Sequence, residues 1–65
     1  MKLIVNGKEH ETDLGKLSLL IQSFELKAEH VVAEVDGHII DRSEWEHYEL
    51  KPGAVIELVH FVGGG

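Results

Sequence analysis

Three sets of residues in this chain could do chemistry, and the most informative closes it: the apolar run Val59-His60-Phe61-Val62 leads straight into Gly63-Gly64-Gly65. Glycines reach φ/ψ regions closed to other residues and lose the most freedom when pinned, so such a tail is expected to be slender and mobile. It could thread into a channel of another protein. The only reactive group it would deliver is the α-carboxylate of Gly65, ionised at neutral pH because an α-carboxyl ordinarily titrates near about 3.5. A carboxylate is a poor electrophile. Chemistry at Gly65 therefore requires an activating partner, such as an enzyme that makes an acyl-adenylate. The plain alternative is a linker or a fraying end. Against it stands the abrupt passage from apolar strand to glycine, with no serine or lysine between.

The other two sets are weaker. Five histidines, His10, His30, His38, His47 and His60, invite a metal reading, but they offer neither an i, i+4 helical pair nor a cysteine companion. They are expected to be surface or half-buried imidazoles, with no metal site. Asp41, Glu44, Glu46 and Glu49 could suggest paired carboxylates for acid/base work, yet they sit in a loop without a pocket-forming scaffold, so a solvated face is expected. No residue is expected to be catalytic. Arg42 and Trp45 could form a cation–π pair or an interface anchor, although an edge of a small core is the simpler role. Gly53 and Gly63 to Gly65 do not open a helix, so no phosphate loop is present.

Composition narrows the classes further. A chain of 65 residues buries only about 60 % of the surface its unfolded form exposes, so a deep catalytic cleft is not expected. The absence of cysteine excludes a disulfide scaffold and a thiolate nucleophile and suits a reducing compartment. No apolar run is long enough to span a bilayer, and Met1 to Gly7 is too short for the apolar region of a signal peptide; a cytoplasmic location is expected. Twelve acidic residues against six basic ones give a net charge of −6. Nucleic acid and anionic membrane would be repelled, whereas a protein partner with a basic docking face fits.

The elements that must position the tail can be read from spacing. Met1 to Val5 is apolar and partly β-branched, and Asn6-Gly7 is a strong hairpin signal because a type I′ turn needs positive φ at both central residues. Lys8 to Thr12 would be the returning strand. Leu17, Leu20, Ile21 and Phe24 fall at i, i+3, i+4 and i+7, which predicts a helix of about two turns. Thr12 or Asp13 is expected to help cap its start, and Leu19, off the stripe, to flank the core. Val31 to Val35 reads as a strand closed by Asp36-Gly37, with His38 to Ile40 as its short partner. Asp41 to Leu50 is expected to be a loop with one helical turn. Lys51-Pro52-Gly53 then sets up a type II turn before a last strand, Ala54 to Val62. This order predicts an α+β domain over residues 1–62, one helix across a small mixed sheet, in the β-grasp or ubiquitin-like arrangement, with residues 63–65 as a flexible tail.

In the last strand, Ile56 and Leu58 share one face with His60 and Val62, while Val55, Glu57, Val59 and Phe61 share the other. Ile56 and Leu58 are assigned to the core because Glu57 is better solvated on the opposite side. Val59 and Phe61 are then left exposed beside the glycines, unless Trp45 or Tyr48 covers them, and exposed apolar patches commonly mark docking sites.

With these residues in view, the chain resembles the ubiquitin-like sulfur carrier proteins, most closely the thiamine-pathway ThiS family. The resemblance spans the whole chain and rests on its length, the Leu3-Ile4-Val5-Asn6-Gly7 opening, the stretch Arg42-Ser43-Glu44-Trp45 and the ending Val59 to Gly65. It implies a carrier used as co-substrate and not itself an enzyme. An adenylyltransferase of the ThiF type would use Mg-ATP to convert the Gly65 carboxylate to an acyl-adenylate. Sulfur from a donor such as a cysteine desulfurase would then give a thiocarboxylate, and a ThiG-type thiazole synthase would take it for the thiazole ring of thiamine. Gly64 and Gly65 match the diglycine of the family pattern, and Gly63 adds reach. Val59, Phe61 and Val62 correspond to the stretch presented to partners. The carrier itself would hold no bound cofactor. The alternatives are a carrier for molybdopterin or another thiolation pathway, a ubiquitin-like protein modifier, or a passive interaction module.

Overall fold

The computed structural model describes residues 1–61. Strands β1 (Lys2–Val5) and β2 (Lys8–Glu11) form the expected hairpin, with Asn6 and Gly7 both at positive φ, 49° and 80°. Helix α1 (Leu17–Ser23) follows, then a 3₁₀ turn at Ala28–His30, strands β3 (Val31–Val35) and β4 (His38–Ile40), a second 3₁₀ turn at Arg42–Glu44, and strand β5 (Val55–His60). The turn before β5 has Gly53 at φ 86°, and Ala54 N–H donates to Lys51 O at 3.1 Å, as a type II turn over Pro52-Gly53 requires.

The strand order is β2-β1-β5-β3-β4. The first and last strands lie side by side in parallel, and the last strand is antiparallel to β3 on its other flank. This is the expected β-grasp arrangement: two hairpins joined by a helix that covers one face, with the final strand in the middle of the sheet. The central position of β5 follows from its composition. A strand flanked on both sides can donate and accept along both edges, and Val55-Ile56-Glu57-Leu58-Val59 has no proline to interrupt either ladder.

Leu17, Leu20 and Ile21 of the helical stripe are buried against Leu3, Val5, Ala33, Val35, Ile56 and Leu58 of the sheet. Phe24 closes the stripe half-buried. Leu19, expected to flank the core, is instead 44 % exposed, because seven helical residues present only one side to the sheet. Neither Thr12 nor Asp13 caps the helix. Lys16 occupies the N-cap without a side-chain bond, and the first free amides, Leu17 and Ser18, donate to Tyr48 O at 3.0 Å and Trp45 O at 3.1 Å. The loop after β4 thus does the work of a cap. Thr12 Oγ1 accepts from Leu14 N–H one turn earlier.

Candidate functional site

The expected contact surface is built on β5. Its burial alternates as assigned, with Ile56 and Leu58 inside and Val55, Val59 and Phe61 outside at 43 %, 51 % and 57 % exposure. The end of the strand is tied on both sides: the side-chain Oδ1 of Asn6 accepts from Leu58 N–H at 2.8 Å, and just past the strand Phe61 N–H donates to His30 O at 2.8 Å. Trp45 and Tyr48 do not cover Val59 and Phe61. Trp45 is buried in the core at 4 % exposure with its Nε1–H donating to Ile40 O at 3.0 Å, and Tyr48 packs half-buried against that core. A small core fills its open end first, so the aromatics are used there. Of the remaining proposed site residues, Val62, Gly63, Gly64 and Gly65 lie outside the described residues.

Sheet register enlarges this surface beyond what strand alternation alone suggested. Val59 stands opposite Val32 of β3, Glu57 opposite Glu34, and Glu34 in turn opposite Ile39 of β4, which is 70 % exposed. On the other flank Ile4 of β1 stands opposite Val55. The uncovered face of the sheet therefore carries Ile4, Val55, Val59, Val32, Ile39 and Phe61 around two glutamates. Val32 was legible in principle: it interrupts the buried positions Val31, Ala33 and Val35, just as Val59 follows Ile56 and Leu58. Ile39 was not, because a three-residue strand has too short an alternation to assign faces.

The other candidate sets disperse. His10 lies against Phe24 and His30 near His60, with ring centroids 5.5 Å and 6.2 Å apart, and among the described residues no group of three or more His, Asp or Glu could hold a metal ion. Glu44, Glu46 and Glu49 remain on the surface. Asp41 starts the second 3₁₀ turn. Its Oδ2 accepts from Ser43 Oγ at 2.5 Å and Ser43 N–H at 3.2 Å, and these two bonds, in that order, with a smaller contribution from the Arg42 charge, hold its carboxyl below the usual carboxylate range. Arg42 itself stays exposed. An open hollow of about 460 Å³ is lined by Ile39, Ile40, Asp41, Glu44, His47 and Tyr48. Among the described residues, no helix is long and apolar enough to cross a membrane.

A profile of the ThiS family matches residues 3–65. The chain belongs to the ThiS family. It is 38 % identical to the sulfur carrier protein ThiS of Bacillus subtilis over 97 % of this chain and 98 % of that protein. It is also 32 % identical to a thiazole synthase of Magnetococcus marinus, where all of this chain corresponds to 20 % of the longer protein. Among solved structures, the crystal structure of a thiamine biosynthesis protein, ThiS, from Geobacter metallireducens superposes with a TM-score of 0.83 at 30 % identity, each chain fully covered. The solution structure of a thiamine biosynthesis protein from the same organism gives 0.80, covering all of this chain and 88 % of that one. The β-grasp fold read from element order is thus the fold of ThiS family members.

Proposed function

We propose that this chain is a sulfur carrier of thiamine biosynthesis, a cytoplasmic co-substrate that presents the Gly65 carboxylate to partner enzymes. The observation that carries this reading is its whole-length likeness to a sulfur carrier protein ThiS. The fold supports it, because β5, the strand that precedes the proposed contact and tail residues in the chain, lies in the middle of the sheet and leaves Val59 and then Phe61 exposed.

Activation follows from the chemistry of the end group. A Gly65 carboxylate oxygen attacks the α-phosphorus of Mg-ATP held by a ThiF-type adenylyltransferase, and pyrophosphate leaves. The resulting acyl-adenylate has the leaving group that the carboxylate lacked. A persulfide sulfur, supplied by a cysteine desulfurase or similar donor, then attacks the carbonyl carbon and AMP departs. A thiol next attacks the acyl disulfide and ends as a disulfide, freeing the thiocarboxylate. A ThiG-type thiazole synthase takes the sulfur. The pairing with a synthase is supported by the M. marinus thiazole synthase, one-fifth of which resembles this chain. Val59, Phe61 and Val62 are the partner contacts beside the tail.

Intact mass spectrometry tests the reading. The chain is incubated with the adenylyltransferase of its own organism, ATP and a sulfur donor. One oxygen of the native end group is expected to be replaced by sulfur, and the product to be alkylated at that sulfur. A variant with one residue added after Gly65 is expected to give no such product while folding normally. A lysine adduct in place of the sulfur species would convert the reading to a protein modifier. Unchanged partner affinity with no modification of either kind would leave a passive binding module.

A further inference from the structure

The uncovered face of the sheet is not uniformly apolar. In the antiparallel register of β3 and β5, Glu34 stands directly opposite Glu57, and like charges so placed destabilise a sheet. Their surroundings sharpen the conflict. Val55 and Val59 flank Glu57 along β5, Val32 flanks Glu34 along β3, and Ile39 lies across from Glu34 on β4. Among the described residues the ion pairs are Met1–Glu11, Lys2–Glu9 and Lys16–Glu49, and neither central glutamate takes part in one. Two glutamates thus occupy opposed positions of the sheet, beside the exposed Val55, Val59 and Ile39, in a chain whose net charge is already −6.

We infer that the face is built to receive an arginine-bearing surface of the thiazole synthase, with the guanidinium seated between Glu34 and Glu57 and apolar side chains closing over Val59, Phe61, Val32 and Ile39. The inference rests on the partner assignment made above and adds the chemistry of recognition. Opposed positions of an antiparallel pair hold their Cβ atoms about 5 Å apart, a span that a planar guanidinium with donors on several edges can bridge. Arginine fits better than lysine because it is more weakly hydrated and tolerates being covered by apolar groups. A second copy of this chain is disfavoured as occupant, because it would bring another Glu34–Glu57 pair and another charge of −6 to the same face. The arrangement supplies selectivity: a partner lacking the cation would bury two unpaired carboxylates.

Calorimetric titration of the thiazole synthase of the same organism into the carrier distinguishes the possibilities. Three proteins are compared: the wild type, the Glu34→Gln/Glu57→Gln double variant, and a Glu25→Gln/Glu46→Gln double variant that makes the same charge change at exposed positions outside the sheet. Removing the central repulsion leaves the fold at least as stable, so loss of binding cannot be ascribed to unfolding. The first double variant is expected to bind about tenfold more weakly or worse, and the second to stay within about twofold of the wild type. Equal weakening in both would show a general charge effect and overturn the inference, as would no weakening in the first. Absence of wild-type binding sinks the partner assignment itself; binding indifferent to Glu34 and Glu57 sinks this inference alone.

Discussion

Trp45 shows how much of this small domain depends on single side chains. Its ring is buried, its Nε1–H donates to Ile40 O in β4, and its carbonyl accepts the Ser18 amide at the start of α1. One residue therefore joins core, edge strand and helix. What aims it is Asp41, four positions earlier, whose carboxylate ties down Ser43 and sets the 3₁₀ turn from which Trp45 emerges. Because hydrogen bonds to the ionised form lower the Asp41 pKa in the folded chain, its contribution is present above the unfolded value of 3.8. It fades as the pH falls through the lower folded value. In urea titrations the wild type is expected to exceed Asp41→Ala by a constant margin at pH values well above 3.8, and the margin to shrink as the pH is lowered below it. A margin that grew on acidification would show that the carboxylate is not the group responsible.

At the scale of elements, the helix is held at both ends by features other than its own side chains. Its start borrows the carbonyls of Trp45 and Tyr48, and the bridge between Lys16 and Glu49 binds the same loop to it. Its end turns at Glu25, where φ is 58° although the residue is not glycine. Left-handed backbone costs a side-chain-bearing residue roughly 1 kcal/mol, so Glu25→Gly is expected to raise stability by about that amount less the added freedom of the unfolded chain. A rise of a few degrees in thermal midpoint would register it; a fall would mean that Glu25 makes a compensating contact. The edges of the sheet are treated unequally. Strand β2, Lys8-Glu9-His10-Glu11, is charged along its length, which discourages pairing with another chain.

For the whole molecule, the deciding fact is that one helix covers one face of a five-stranded sheet. The inner face of β5 and Phe61, the residue just after the strand, consequently have opposite roles. Ile56, wholly buried, is expected to cost about 2–5 kcal/mol when cut to alanine, a large share of the stability of a domain this size. Phe61, more than half exposed, is expected to change stability by no more than about 0.5 kcal/mol as Phe61→Ser while weakening partner binding. Chemical denaturation and titration with the partner, run on both variants, check the contrast. Comparable destabilisation by the two would mean that the outer face is not free.

The amino-acid sequence alone determined most of the local structure, because local structure depends on neighbours. Asn6-Gly7, Asp36-Gly37 and Pro52-Gly53 specify their turns by backbone sterics, Leu17, Leu20 and Ile21 mark a helix by their period, and Ile56 and Leu58 declare the buried face of β5 by alternation. Only the tertiary structure decided what depends on distant residues meeting. The helix start is capped by a loop some thirty positions away, Trp45 turns inward instead of shielding Phe61, and Glu34 meets Glu57 across a register that no single strand encodes. The physical reason is the same in each case: a hydrogen-bond ladder and a packed core bring together groups far apart in the chain, and the energies that select those encounters exist only once the sheet is assembled.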